Sequence, residues 1–207
     1  MKRGGHHGIF RIQGYEHLSG LHDYETLYKE SGVSVKLDIT KTYFSPRLAT
    51  ERLRIAKLVK PMETILVMFS GVGIYPFVIA RHSKAKYILG VEINPDAADY
   101  AEENLKINKF KNIELRCGDI REEHIHGEFD RIIMPLPESS LLYLEYALRW
   151  IKKNGIIHLY TFSDEDKINE LLDEINEKIK CKILNVVKCG QRGPRIYRYC
   201  VDIKVLE

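Results

Sequence analysis

The chain has 207 residues, 44% of them hydrophobic, which is enough for one full domain and a small additional element. Its 32 basic and 29 acidic residues leave a formal charge of +3, which permits a nucleic-acid partner without requiring one. No apolar run approaches the roughly 20 residues of a membrane span, and residues 1–8 lack the hydrophobic centre of a signal peptide, so we expect a cytoplasmic protein.

The first part of the chain has the pattern of a small β-rich element. Two short runs, Tyr24–Lys29 and Val33–Ile39, flank a serine-glycine turn and predict a β-hairpin. A turn anchored by Pro46 then opens a helix that we expect to reach about Lys60. We therefore predict a small N-terminal element over residues 1–42 and a main domain over residues 43–207.

From residue 63 onward, apolar runs typical of buried parallel strands alternate with helical patterns. Strands are predicted at Thr64–Phe69, Tyr87–Glu92, Ile113–Cys117, Arg131–Leu136 and Ile156–Thr161. Helices are predicted at Asp96–Lys106, Ser139–Lys152 and Glu165–Ile179, with a turn at Asn154 and Gly155. The last stretch, Lys182–Val187 and Tyr197–Val205, predicts an antiparallel hairpin at the sheet edge. These patterns indicate an α/β fold of Rossmann type with a mostly parallel sheet.

Glycines and acids follow the first three of these strands. Gly71 and Gly73 lie where the first strand turns into a helix, and glycine permits a tight turn beside a ligand. Glu92 ends the second strand, where its oxygens can accept hydrogen bonds from a ribose diol, and Asp119 follows the third, where it can accept from an adenine amino group. Each acid also fits the simpler role of a helix N-cap. Taken together, they predict a nucleotide-type cofactor site at the carboxyl edge of the sheet.

The spacing of these residues fits either a nicotinamide dinucleotide or S-adenosylmethionine. A dinucleotide fingerprint calls for a third small residue three positions after Gly73, and that position is Pro76. The sequence therefore favours S-adenosylmethionine.

Five segments carry a family resemblance that covers nearly the whole chain: Tyr43–Arg52, Met68–Gly73, Glu92–Pro95, Gly118–Arg121 and Asp130–Pro137. In these segments the chain resembles the archaeal and eukaryotic enzymes that methylate guanosine 37 of transfer RNA at N1, and their wyosine-pathway relatives. The resemblance implies a class I methyltransferase domain, S-adenosylmethionine as donor and tRNA as partner, with residues 1–42 matching part of the family's middle domain.

The sequence also departs from the family pattern. Val67 stands where the family typically has Asp, and Pro135 stands where it typically has the Asn of Asn-Leu-Pro, which removes an amide that could orient the base or the methionine moiety. The family's usual tRNA-docking domain does not precede the small element in this sequence. We therefore expect weaker tRNA affinity or a partner that replaces the docking domain. We also expect the chain itself to be a monomer.

By resemblance, Glu51 is the general base that takes the proton from guanine N1, and Arg11 stabilises the charge on O6. The alternative for Glu51 is a favourable charge in the first helical turn, beside Arg52 as a surface cation. The cofactor-binding residues are predicted to be Phe69, Gly71, Gly73, Glu92, Ile93, Asp119, Ile120, Pro135 and Arg52.

Two arginine groups are candidate RNA contacts. Arg47 and Arg54 lie close to Arg52 and to the aromatic residues Tyr43 and Phe44, which suits phosphates and an exposed base. A second group consists of Arg192 and Arg195, followed by Tyr197 and Arg198, in a C-terminal loop. Either group also fits an ordinary solvated surface.

No metal site is predicted. Four cysteines without paired spacing indicate reduced thiols, and His6 and His7, with Lys2 and Arg3, indicate a flexible basic start. Two other functions stay open: transfer of the aminocarboxypropyl group of the same donor in the wyosine pathway, and a catalytically impaired protein that binds tRNA or cofactor.

Overall fold

The structure is a computed structural model that describes residues 2–206; the side chains of Lys2, Arg3, His6 and His7 lie outside the described set, so the prediction about those histidines and cations lies outside it too. The chain begins with two antiparallel hairpins. Strands β1 (Lys2–His7) and β2 (Ile12–Tyr15) form the first hairpin, which the sequence analysis did not predict. Strands β3 (Glu25–Glu30) and β4 (Val33–Asp38) form the second hairpin, as predicted.

A 3₁₀ turn at Pro46–Leu48 leads into helix α1 (Ala49–Leu58) and then into a seven-stranded sheet. Its strands are β5 (Thr64–Met68), β6 (Tyr87–Glu92), β7 (Ile113–Cys117), β8 (Phe129–Met134), β9 (Ile151–Asp164), β10 (Cys181–Gly193) and β11 (Ile196–Val205). The other helices are α2 (Ile74–His82), α3 (Pro95–Asn108), α4 (Leu144–Leu148) and α5 (Ile168–Lys178). None of the described helices has the length and apolar character needed to cross a membrane.

The strand order is β10-β11-β9-β8-β5-β6-β7, and the five strands from β9 to β7 are parallel. Strand β11 pairs antiparallel with both β9 and β10. The predicted Rossmann-type sheet with an antiparallel C-terminal hairpin is therefore confirmed. The chain runs from β5 outward through β6 and β7 and returns to β8 on the other side of β5, so the connections diverge between β5 and β8.

The predicted helix over Ser139–Lys152 is wrong in extent. Only a 3₁₀ turn at Ser140–Tyr143 and the short helix α4 form there, and β9 already begins at Ile151. Ile151 pairs with Phe129 of β8, and both side chains are buried, so the sheet gains apolar pairing that a continued helix would lose. The predicted turn at Asn154 and Gly155 lies within β9, where the register between β8 and β9 shifts.

Alternate residues of the central strands supply two apolar cores. Along β5, Ile65 and Val67 belong to a core formed with α1, α2 and the β3–β4 hairpin, whereas Leu66 and Met68 belong to a core formed with α4 and α5. Successive side chains of a strand point to opposite faces, so the two cores cover the two faces of the sheet. The β3–β4 hairpin shares a core with the main sheet, and the boundary at residue 42 stays a prediction.

Two asparagines fasten the β3–β4 hairpin to helix α3. The amide of Asn104 accepts from the backbone N–H of Lys36 at 2.7 Å and donates to its carbonyl at 2.9 Å. The amide of Asn108, one helical turn later, makes the same pair of bonds with Ser34, at 3.0 and 2.7 Å. Each side-chain amide therefore pairs with β4 as a neighbouring peptide group would.

Candidate active site

The candidate site lies at the carboxyl ends of β5, β6 and β7, beside the point where the sheet connections diverge. A cavity of about 160 Å3 there is lined by the glycine turn after β5, by Glu92 and by Asp119. A larger cavity of about 700 Å3 lies at the amino ends of β5 and β8. Open α/β sheets bind their ligands at the carboxyl edge, so the smaller cavity is the candidate.

The turn after β5 has a backbone conformation that favours glycine. Phe69, Gly71 and Gly73 all have positive φ angles, of 58°, 55° and 86°. A Cβ on Gly73 would lie 2.5 Å from the ring of Phe77, which forbids a larger residue at the start of α2. Of the predicted cofactor-binding residues in this turn, Phe69 and Gly71 line the cavity, whereas Gly73 does not line it and instead shapes the turn.

Glu92 joins the end of β6 to the glycine turn. Its carboxylate accepts from the backbone N–H of Gly71 at 2.7 Å and from that of Asn94 at 2.9 Å. Burial raises the pKa of Glu92, and the backbone hydrogen bonds oppose part of that rise. A carboxylate accepts about four hydrogen bonds, so capacity remains for a ligand hydroxyl in the cavity.

Asp119 lies on the far wall of the cavity with Ile120, and Ile93 is also part of the lining. Arg121 binds the Asp119 carboxylate through its backbone N–H and its guanidinium, and this hydrogen bonding lowers the pKa of Asp119. Asp119 is therefore a fixed negative charge at the rim.

The loop between β1 and β2 forms one wall of the 160 Å3 cavity at the carboxyl edge of the sheet. Arg11 in this loop has a φ of 55°, lies over the ring of Tyr43 at 4.6 Å and contacts Glu138 at 3.4 Å. Its Nε is buried and, among the described residues, has no hydrogen-bond partner. A buried donor without a partner is costly, so this atom marks a position for a ligand acceptor.

A second, smaller cavity of about 70 Å3 adjoins the first and shares Tyr43, Phe69, Gly71 and Pro135 with it. Tyr75 lines this second cavity, and its buried hydroxyl is also without a hydrogen-bond partner within residues 2–206. The two cavities together provide room for an elongated ligand that bends around Phe69 and Pro135.

Glu51 lies close to this region but lines neither cavity. Its side chain is only 5% exposed, and its carboxylate is bound by Arg54 and by the hydroxyl of Tyr160 at 2.7 Å. The predicted general base, Glu51, is therefore in a buried ion pair with Arg54. It does not line the larger of the two adjoining cavities, which Arg11 does.

The Glu51 ion pair extends into a buried polar network. Arg54 also binds Asp202 at 2.7 Å, and Asp202 accepts from Nδ1 of His158 at 2.6 Å. Burial would raise the pKa of Asp202, but the hydrogen bonds from His158 and Arg54 outweigh it and hold that pKa well below its usual range. Nε2 of His158 lies 2.6 Å from Arg131, and burial lowers the pKa of His158, so the ring is neutral.

His158, Asp202 and Cys200 place three possible metal-ligand atoms within 4.8 Å of one another. Two guanidiniums, those of Arg54 and Arg131, already bind Asp202 and His158, and their positive charge opposes a cation at the same place. We assign no metal to this cluster.

The predicted RNA-contact arginines do not share one surface. Arg47 is exposed on the 3₁₀ turn, and Arg192 and Arg195 are exposed near the tip of the β10–β11 hairpin, where they pair with Glu138 and Asp166. Arg54 is directed inward, with its donors on Glu51 and Asp202, which opposes a contact with RNA.

Sequence reasoning missed the loop residues that complete the cavity. Ile9 and Phe10 line it from the β1–β2 hairpin, and Tyr143 packs edge-on against Phe69 with ring centroids 4.8 Å apart. The first two residues follow a glycine-rich stretch without strand alternation, so their sequence carries no signal for this position.

A family model for the TRM5/TYW2 methyltransferase domain matches residues 26–184. The tRNA (guanine(37)-N(1))-methyltransferase Trm5b of Pyrococcus abyssi is 38% identical over 96% of the chain. The tRNA 4-demethylwyosine(37)-methyltransferase Taw21 of Saccharolobus solfataricus is 36% identical over 95% of the chain and 75% of its own length. The chain spans 61% of the length of the Pyrococcus Trm5b and 57% of that of the Methanocaldococcus jannaschii Trm5b.

Solved structures agree with the sequence comparison. Trm5b from Pyrococcus abyssi superposes with a TM-score of 0.89 at 37% identity, over 100% of this chain and 63% of that one. The aTrm5 in a complex with tRNALeu gives a TM-score of 0.89 at 33% identity, over 99% of this chain and 60% of that one. TYW2 of Methanocaldococcus jannaschii, in complex with AdoMet, gives 0.83 at 30% identity, over 93% of this chain and 90% of that one.

Proposed function

Because the chain belongs to the TRM5/TYW2 methyltransferase family, we propose that it transfers a methyl group from S-adenosylmethionine to tRNA, at N1 of guanosine 37 or on the wyosine intermediate at that position. The observation that carries this proposal is the meeting of the glycine turn, Glu92 and Asp119 around one cavity. The relatives named above act at position 37 of tRNA, and this gives the acceptor.

The residues present fit the donor. Glu92 has free acceptor capacity for a ribose diol, Asp119 is a fixed acceptor for an adenine amino group, and the apolar walls include Ile93 and Ile120. Tyr75 lines the smaller cavity, and its buried hydroxyl has no hydrogen-bond partner among the described residues, which leaves a polar group for the amino-acid end of the donor. When bound, S-adenosylmethionine supplies an electrophilic methyl group on a sulfonium.

Methylation forms a bond between guanine N1 and the methyl carbon, breaks the carbon–sulfur bond with its electron pair passing to sulfur, and releases the N1 proton to a base. The chain must therefore supply a proton acceptor and a positive donor for guanine O6. Arg11 suits the second role, because its Nε is buried at the cavity without a partner from the described part of the chain.

Glu51 is the proposed proton acceptor. Its carboxylate is held by Arg54 in this structure, and a carboxylate paired with a guanidinium is a weak base. The proposal therefore requires the Glu51 side chain to turn from Arg54 toward the cavity when the acceptor binds.

Exposed arginines are proposed to bind the tRNA backbone, since guanidiniums recognise phosphates. Arg47 is exposed on the 3₁₀ turn before α1, and Arg192 and Arg195 are exposed near the tip of the β10–β11 hairpin. A monomer, a partner that contributes tRNA affinity and a cytoplasmic location are also proposed.

A second candidate is transfer of the aminocarboxypropyl group of the same donor. A tRNA(Phe) (4-demethylwyosine(37)-C(7)) aminocarboxypropyltransferase of Methanocaldococcus jannaschii is 30% identical over 95% of the chain and 81% of its own length. Pro135 lines both cavities and has no side-chain amide that could orient an acceptor base. This departure from the family pattern supports aminocarboxypropyl transfer as a second candidate. It would break a different carbon–sulfur bond and leave methylthioadenosine.

The test is to incubate the purified protein with unmodified tRNA or with tRNA bearing 4-demethylwyosine, using donor labelled in either the methyl or the carboxyl carbon. The modified nucleoside is then identified by mass. Methyl label on guanosine 37 or on its wyosine intermediate supports the proposal, whereas carboxyl label on the nucleoside supports the second candidate. Donor binding without label on any tRNA contradicts both and leaves a binding protein. The Glu92→Ala variant is the control for transfer that depends on the cavity.

A further inference from the structure

We propose that the cavity of about 700 Å3 at the amino ends of β5 and β8 binds a small organic phosphate monoester, such as a mononucleotide or a sugar phosphate. Pockets for small ligands generally have volumes of about 300–1,000 Å3. This cavity shares no lining residue with either cavity at the carboxyl edge. It is therefore a site separate from that of the proposed donor, and it stands whether or not the proposed function does.

Three lysines give the cavity a positive charge that the protein does not balance. Lys60, Lys153 and Lys204 line it, and none of them has a carboxylate within ion-pair distance among the described residues. They come from three separate places in the chain, which are the end of α1, β9 and β11. Like charges repel one another, so an anion placed among these lysines is stabilised.

The acids that line the cavity are already paired with cations. These ion pairs are Glu63–Arg131 at 2.8 Å, Asp130–Lys152 at 2.7 Å and Asp202–Arg54 at 2.7 Å. Arg54 also binds Glu51, which lies outside the lining. The six cations of the lining and these four acids therefore leave an excess of two positive charges. This excess matches a phosphate monoester, which carries about 1.5 to 2 negative charges at pH 7.

The buried part of the lining also retains hydrogen-bond donors. Arg54 and Arg131 each make four hydrogen bonds to other groups of the chain. A guanidinium has five N–H groups, so each arginine keeps one N–H of Nη1 that no described residue accepts. Residues 152–155 of β9 line the cavity too, and they pair with neither β8 nor β11, so their backbone N–H groups are not committed to the sheet. Phosphate oxygens accept hydrogen bonds from both kinds of donor.

Apolar side chains beside these donors favour an organic ligand over inorganic phosphate. Leu58, Met62 and Leu184 line the cavity and are 43%, 65% and 47% exposed. Ligand sites typically combine apolar walls with a few polar groups that orient the ligand. We therefore expect the phosphate to carry an apolar or aromatic group that covers these three side chains.

The backbone of an RNA is the other phosphate ligand that lysines commonly bind. Each phosphodiester carries one negative charge, whereas the lining has an excess of two positive charges around one concave space. The cavity also lies at the opposite edge of the sheet from Glu92 and Asp119. The charge and the shape therefore favour a small monoester.

The test measures the binding of phenyl phosphate by calorimetry, with inorganic phosphate and phenol as probes of its two halves. We expect one phenyl phosphate to bind per chain, more tightly than inorganic phosphate, and phenol not to bind. The double variant Lys153→Gln/Lys204→Gln should weaken phenyl phosphate about tenfold or more, since charged hydrogen bonds are lost. Met62→Ser should weaken phenyl phosphate but not inorganic phosphate. Lys106→Gln is the matched control, because Lys106 is an exposed lysine in the last turn of α3 and does not line the cavity.

Saturating S-adenosylhomocysteine should leave the affinity for phenyl phosphate unchanged. Loss of binding in its presence would mean that the probe occupies the donor cavity, and this would overturn the proposal. No binding to the wild type, or equal affinity in the double variant and the wild type, would overturn it too. So would a double variant that binds phenyl phosphate normally and weakens only tRNA, since that indicates a contact with the RNA backbone. None of the substituted side chains forms an ion pair with a described residue, so urea unfolding should show wild-type stability in each variant.

Discussion

Arg54 binds both carboxylate oxygens of Glu51, with Nε 2.7 Å from Oε2 and Nη2 2.8 Å from Oε1. The two residues lie one turn apart on α1, and Tyr160 donates a further hydrogen bond to the same carboxylate. This arrangement gives Glu51 two separable roles, as a structural partner of Arg54 and as the proposed base.

Glu51→Gln should separate these roles, because glutamine keeps the shape and one acceptor oxygen but cannot take a proton. We expect the single-turnover methyl-transfer rate to fall about a hundredfold or more, with S-adenosylhomocysteine affinity nearly unchanged. The free energy of unfolding should fall by about 1–3 kcal/mol, since Arg54 loses a charged partner. Tyr160→Phe is the control: it removes the 2.7 Å hydrogen bond and leaves the base, so only stability should change. Wild-type turnover in Glu51→Gln would refute the catalytic role.

Arg11→Gln tests the proposed stabilisation of guanine O6. We expect a fall in transfer rate of about a hundredfold, the usual effect of removing one donor that stabilises transition-state charge, while methylthioadenosine still binds. Glu138→Gln serves as the control, because it removes the negative charge that lies 3.4 Å from Arg11 but keeps the guanidinium over Tyr43. If the two variants lose activity equally, Arg11 acts by closing the loop rather than by its charge.

Glu92→Ala should weaken donor binding, because the ribose diol loses a charged acceptor. We expect the Kd for S-adenosylhomocysteine to rise about tenfold or more, measured by calorimetry. Asp96→Asn is a matched control, since Asp96 is an exposed acid in the first turn of α3 and pairs with Lys41. Unchanged affinity in Glu92→Ala, with a normally folded protein, would mean that the donor does not use this cavity.

The neutral His158 makes stability depend on pH. Burial lowers the pKa of His158 in the folded protein below its ordinary value of about 6.5, so below that pH the unfolded chain binds a proton that the folded chain does not. Its contribution is complete above about pH 6.5 and is lost as the pH falls toward the folded value, at about 1.4 kcal/mol per pH unit. Urea unfolding of the wild type and of His158→Gln between pH 5 and 8 measures this slope. A wild-type slope equal to that of the variant would contradict the assignment.

The sequence predicts the parts of the fold that depend on local patterns. Strands β6 and β7 occur where the apolar runs place them, and the acid at the end of β6 reaches the glycine turn as expected. These predictions succeed because a parallel strand is buried on both faces and its carboxyl end is fixed by the sheet.

The direction of long polar side chains is what the sequence does not reveal. Arg54 was predicted at an RNA surface, but its partner Asp202 lies 148 residues away in sequence and is brought beside it only by the pairing of β11 with β9. Arg198 was grouped with exposed arginines for the same reason, although Phe162 and Tyr43 enclose it. An arginine-rich segment has the same sequence pattern whether its side chains are exposed to RNA or buried in the protein.

The asparagine ladder between α3 and β4 has a consequence for self-association. An edge strand with free N–H and C=O groups is a template on which another chain can add a strand and begin to aggregate. Asn104 and Asn108 occupy these groups at Lys36 and Ser34, so the edge of β4 is closed by side chains of the same molecule. Replacing both asparagines would reopen this edge and give the protein a site for intermolecular β-pairing.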